Sequence, residues 1–275
     1  MRLLKRLAAF FSLTLLVTLV GCSSITLAYK QLPLLAGFWA NTYLDLDSAQ
    51  RDQLKKQLAT WQAWHRREEL PRWIALLQQA RSAMDGGVTA DELLALEREG
   101  RASAERCLQH AAPLAAPLLA GLRPEQWQHL QKKMDEKTAE WREKHSGRGG
   151  PEERAKRYTT NLERWLGDLD RSTRRQARAD AEGWHFDLPA MAQARATRQT
   201  QTIDALRAWS RQDLAGGTSL LMRNLLPQPA EMPYREQINA SLLKLLNGLD
   251  AAQREQVFKH WADWSAELRT LQAGG

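Results

Sequence analysis

The sequence predicts an all-α protein, a multi-helix bundle, with two related helical halves as one arrangement of it. Three observations carry this. The chain of 275 residues holds 44 Leu and 39 Ala but only 4 Val and 4 Ile. Helices favour Ala, Leu, Glu, Gln, Lys and Arg, whereas strands draw on β-branched residues, so a sheet of ordinary size cannot be furnished. Apolar residues recur at helical spacing, segment after segment. Asp or Thr followed three residues later by Gln or Glu marks repeated helix starts. The α/β-hydrolase, dinucleotide-binding, sandwich and barrel folds are thereby excluded. A content of 26% charged and 43% hydrophobic residues argues against global disorder.

The first element is a targeting segment. Arg2, Lys5 and Arg6 precede an apolar stretch of 14 residues, Leu7 to Val20, too short for a good membrane span. It ends in Leu19-Val20-Gly21-Cys22, which resembles a bacterial lipobox. The resemblance implies cleavage before Cys22, a diacylglyceryl group on its thiol and an acylated amine, and more than one acyl chain anchors stably. Ser23 in place of Asp favours the periplasmic face of the outer membrane. The alternative is an ordinary secretory signal with a chance Cys. Residues 1–21 are thus expected to be a lipoprotein signal peptide and 22–43 a lipidated N-terminal segment. That segment carries Tyr29, Leu32, Pro33, Leu35, Phe38, Trp39 and Tyr43 and is expected to pack back on the body.

Cleavage also alters the charge. The full chain is formally +7; residues 1–21 take three basic residues and no acid, leaving 36 against 32, or +4. A periplasmic chain meets no duplex, so nucleic acid is not expected as a partner. Anionic lipid, lipopolysaccharide or acidic proteins suit a mild Arg excess.

Helices follow at about 48–84, 90–120, 124–145, 152–167, 171–183, 190–214, 218–226, 234–247 and 251–272. Pro71 is expected to kink the first, and Pro113 and Pro117 to bend or break the second. Gly147-Arg148-Gly149-Gly150-Pro151 is the clearest linker. One short motif recurs. Leu46-Asp47-Ser48-Ala49-Gln50, Leu122-Arg123-Pro124-Glu125-Gln126 and Leu249-Asp250-Ala251-Ala252-Gln253 share Leu-x-x-x-Gln, and Leu169-Asp170 opens a copy without the Gln. The Asp serves as N-cap, and the Gln reaches back to the N-cap amide, a capping box. Val88-Thr89-Ala90-Asp91-Glu92-Leu93 is another, with Val88 stapled on Leu93. The spacing suggests half A at 44–145, a Gly-rich linker and connecting helix at 146–166, and half B at 167–275. Chance likeness between amphipathic helices is the alternative.

The Leu-Asp-x-x-Gln starts resemble the Leu-Thr-x-x-Gln motif of Spy-type periplasmic chaperones, small helical proteins that cradle unfolded clients. Thr is replaced here by Asp or Arg, and the chain is about twice as long. More broadly, the lipobox, Leu27-x-Tyr29, Leu32-Pro33, Tyr43-Leu44-Asp45-Leu46, Gln50 and Trp64-His65-Arg66-Arg67-Glu68-Glu69-Leu70-Pro71 resemble an uncharacterised family of proteobacterial lipoproteins. That resemblance implies location and fold, with no activity attached.

Chemistry has few candidates. His65, Glu68 and Glu69 share a helix face but lack a matching half-site near His185, so no metal is expected. No nucleophile elbow, zincin pair or phosphate loop occurs, and no enzyme activity or cofactor is expected. Cys107 is the one thiol left once Cys22 is lipidated, which precludes an internal disulfide and suggests a buried, inert group. Eleven Trp are unusual. Most are expected in the core; Trp61 and Trp64, like Trp261 and Trp264, lie three residues apart and are candidate client anchors. Arg171, Arg174, Arg175, Arg178, Arg195, Arg198, Arg207 and Arg211 fall in one span; the first four join the candidate binding set. Three functions remain open: a chaperone-like lipoprotein that holds envelope clients, a structural adaptor with one partner, or a cell-wall or lipid hydrolase.

Overall fold

The computed structural model describes residues 24–145, 150–185, 187–210, 219 and 234–274. The expected helix at 218–226, the lipidation residue Cys22 and most of the Gly-rich linker lie outside the described residues, apart from residue 219, Gly150 and Pro151. The rest is all-α. The helices are α1 (Ser24–Lys30), α2 (Leu32–Leu44), α3 (Ser48–Asp85), α4 (Ala90–Ala120), α5 (Pro124–His145), α6 (Gly150–Leu166), α7 (Arg171–Glu182), α8 (Leu188–Ser210), α9 (Arg235–Gly248) and α10 (Ala251–Ala273).

Local chemistry explains the starts. Asp47, Thr89 and Asp250 each accept the backbone N–H three residues on, and Gln50, Glu92 and Gln253 return the bond to the cap's own N–H. Asp170 caps α7 by accepting from the Ser172 and Thr173 amides. Each such cap satisfies amides that the helix cannot pair internally. None of Pro71, Pro113 and Pro117 ends its helix, so of the bend or break expected in α4 the break does not occur. A proline removes a single internal hydrogen bond, and the buried Leu70, Ile74, Ala112 and Leu118 beside these prolines hold the flanking turns in contact with neighbours.

Among the described residues two apolar cores form. One joins Leu77, Met84 and Val88 to Leu162, Leu166, Leu169, Leu246, Leu249, Val257, Phe258 and Trp261. The other joins Ala112, Leu119, Trp127 and Leu130 to Ile203 and Ala205, with Tyr43, Leu44 and Leu122 packed on it. Each core draws on both expected halves. The C-terminal end of α3 packs against α10, and α8 packs against α4 and α5. Helix α6, expected as a connector, supplies Leu162 and Leu166 to the first core.

The N-terminal segment departs from expectation in part. It forms two helices that touch the body: Tyr29 Oη meets His65 Nδ1 at 3.1 Å, and α1 packs against α10. Five of its large apolar side chains do not pack back, however, whereas Tyr43 and Leu44 do. Leu27, Leu34, Leu35, Phe38 and Trp39 are exposed, Phe38 to 75%, and α2 buries no residue. Thirteen residues with so many apolar groups on every side cannot all face one neighbour. Among the described residues no helix is long and apolar enough to cross a membrane.

Candidate functional site

The Leu-x-x-x-Gln motifs meet in pairs. Gln50 Nε2 donates to Gln126 Oε1 at 3.2 Å, and Gln126 Nε2 donates to Gln50 Oε1 at 2.8 Å. Each amide oxygen also accepts a start-of-helix N–H, from Asp47 and Arg123 respectively. Each amide nitrogen reaches the other's loop: Gln50 the Gly121 carbonyl, Gln126 those of Leu44 and Asp45. The second pair sits at α7 and α10. There Thr173 stands where a Gln would, and Gln253 Nε2 donates to Thr173 Oγ1 and to the Asp170 carboxylate. The motif thus staples helix starts.

The Trp pairs divide. Trp261 is 8% exposed and its indole N–H donates to the Trp165 carbonyl at 2.6 Å, so it is core and not a surface anchor. Trp264 is half-buried against the same core and meets Trp165 edge-on at 5.4 Å. A helix face that carries Val257, Phe258, Trp261 and Leu271 turns inward and takes Trp261 with it. Trp61 and Trp64 are half-buried. Trp61 donates to the Cys107 carbonyl, and Trp64 stacks on His110 with ring centres 4.1 Å apart. Trp165, not singled out as an anchor, is exposed to 45% and stacks near Trp73.

The metal candidates are separately engaged. Buried Glu69 accepts from Arg106 at 2.7 Å and from Ser103 at 2.8 Å. Burial pushes its pKa up, but these bonds and the Arg106 and Arg72 charges bring it below the ordinary value. His65 is drawn to Tyr29, and burial pushes its pKa down against the pull of Glu69. Among the described residues no group of three potential ligands gathers. Cys107 is half-buried, and burial, then Glu69, pushes its thiol up to about 11.

The Arg-rich span splits by helix. On α7 the side chains face solvent. Arg174 pairs with Glu163, and Arg178 reaches Glu152 and Glu182 at 3.4 and 3.6 Å. Arg171 and Arg175 are exposed. These four form a solvated face. Arg195 and Arg198 of α8 behave differently. With Arg154 and Arg157 of α6 they line a cavity of about 280 Å³ between α5, α6, α8 and α9. Trp141 and His145 of α5 stack at 4.6 Å on one wall, and Trp184 meets Tyr158 edge-on at 4.7 Å on another. Met191, Tyr234 and Ile238 add to its apolar lining, and among the described residues none of the lining is acidic. Opposing charges act on two of its walls: Glu153 acts on His145, and Asp180, paired with Lys244 at 3.6 Å, acts on Tyr158. Burial holds the His145 pKa below its ordinary value and raises that of Tyr158. The i, i+3 spacing of Arg154 with Arg157 and of Arg195 with Arg198 was a visible signal. Nothing in either segment says that the two pairs converge.

A family model described as a family of unknown function (DUF6279) matches residues 42–235, and the chain belongs to that family. No curated protein matches the chain, and no solved structure does.

Proposed function

We propose that this family member is a non-enzymatic lipoprotein, anchored through Cys22 on the periplasmic face of the outer membrane, whose helical body binds envelope proteins. One observation supports it above the others. Five exposed apolar side chains, Leu27, Leu34, Leu35, Phe38 and Trp39, gather on the two helices that follow Cys22. Lys30, Arg51 and Lys55 border the groove beside Leu34 and Phe38. Such a surface is costly in water but suits a bilayer interface, where rings enter the acyl boundary and basic groups meet anionic headgroups.

Of the two ways to bind proteins, the geometry favours an adaptor with one partner. A holdase needs an open apolar cradle, and Trp261 fills a core instead. The holdase reading keeps one observation in its favour: exposed Trp165 flanked by Trp73 and Trp264.

Envelope fractionation with labelled palmitate tests the anchor. Cys22→Ala should lose the label, and Phe38→Glu with Trp39→Glu should keep it while lowering recovery with outer membranes. Equal label on Cys22→Ala and wild type would sink the lipoprotein reading. Cross-linking in envelopes, read by mass spectrometry, tests the body. One dominant partner supports an adaptor, many unfolded clients a holdase, and no protein at all overturns both.

A further inference from the structure

The cavity between α5, α6, α8 and α9 holds more positive charge than the fold requires. The guanidinium groups of Arg157 and Arg198 make no hydrogen bond or ion pair among the described residues. Arg195 is held in place by its Nε bond to Thr138 Oγ1 at 3.3 Å and by lying 5.8 Å over the Trp141 ring. Its two Nη groups have no partner among the described residues. Burial, and after it Arg198 and Arg157, pushes the Arg195 pKa below the ordinary value. Like charges have therefore been collected where one of them is already partly desolvated, with no carboxylate among the described residues of the wall to offset them. Tyr158 adds a buried hydroxyl with no partner.

We propose that this cavity is a binding site for a phosphate group carried on an apolar or ring-bearing body. Three Arg forks line one cavity, Arg195 and Arg198 half-buried and Arg157 from an exposed position, and together they exceed what one carboxylate can accept. A phosphomonoester offers about two negative charges and three acceptor oxygens, which match several forks at once. The Tyr158 hydroxyl supplies one further donor. Trp141, Trp184 and Met191 provide the apolar wall on which the body of the ligand rests. The volume admits a headgroup and a short part of its body, not a folded chain. The same chemistry is offered by a phospholipid headgroup and by a free phosphate, and the site stands whether or not Cys22 carries lipid.

The test is calorimetric titration of the full chain in neutral detergent with two probes, inorganic phosphate and dihexanoyl phosphatidate. Saturable binding of at least one is expected. Arg157→Gln with Arg198→Gln should weaken it about tenfold or more, the loss of one or two charge-assisted bonds. Arg171→Gln with Arg175→Gln, on the exposed face of α7, should leave it unchanged. Binding of the phosphatidate alone assigns the apolar wall to acyl chains; equal binding of both assigns recognition to phosphate itself. Absence of saturable binding, or equal weakening by the two double variants, overturns the proposal. Thermal melts of both variants accompany the titration. If the first does not fold, Arg157→Lys, which keeps the charge and loses the fork, takes its place and should still weaken binding.

Discussion

Gln126 illustrates how much one side chain can hold. It is 2% exposed and bonds to Gln50 twice, to the Leu44 and Asp45 carbonyls, and to the Arg123 amide. Truncation leaves these partners buried and unpaired, so Gln126→Ala should lower stability by about 2–4 kcal/mol. Gln253 makes the corresponding contacts nearer to solvent, and its truncation should cost about 1 kcal/mol. Urea midpoints compare the two; equal losses would mean that the Gln pair is no staple. Cys107 gives a second residue-scale prediction. With its pKa near 11 the thiolate is scarce at neutral pH. A maleimide or disulfide reagent should modify the folded protein slowly and the urea-unfolded protein fast. Fast labelling of the folded form would show that the thiol is not shielded.

At the scale of elements, α10 turns a continuous apolar face inward, whereas α6 turns Trp165 partly outward. Trp261→Ala should therefore cost about 3–5 kcal/mol, a cavity in the middle of a core. Trp165→Ala should cost under about 1 kcal/mol, because little packing is lost at an exposed ring. Chemical denaturation separates the two. Similar values would mean that the faces of α6 and α10 have been assigned wrongly. The capping boxes at Asp47, Thr89 and Asp250 were legible because they are local: cap and partner lie three residues apart. Of the bend or break expected at Pro113 and Pro117, the break does not occur, because packing from outside the helix outweighs a local preference.

Over the whole molecule, protonation works in one direction. His65 and His145 have folded pKa values lowered first by burial. The folded state then binds fewer protons than the unfolded one, so stability falls as pH drops below about 6.5. Asp47, Glu69, Glu97 and Asp170 have folded values below their ordinary ones, Asp170 down to about 2. Their contribution is present above the unfolded carboxyl range of about 4 and is lost as pH falls toward the folded values. Melting temperature should therefore decline in two stages on acidification, with the first stage reduced in His65→Gln. A melting temperature that rises between neutral pH and the carboxyl range would contradict this. Because both cores draw helices from both halves, the protein should also melt in one transition.

Composition and helical period determined the class and most helix limits, since both depend on neighbours within a few residues. The paired motifs at Leu46, Leu122, Leu169 and Leu249 were visible as well, though not that each pair closes on itself. Only the tertiary structure decided which faces are covered. The same spacing that marks Trp61 with Trp64 marks Trp261 with Trp264, yet Trp261 is core and Trp64 rests on His110. Likewise Arg154, Arg157, Arg195 and Arg198 share one cavity, which α6 and α8 both line. Periodicity places a side chain on a face of its helix. Which face meets which neighbour depends on contacts tens of residues apart, where the burial of apolar area over the whole chain decides the arrangement.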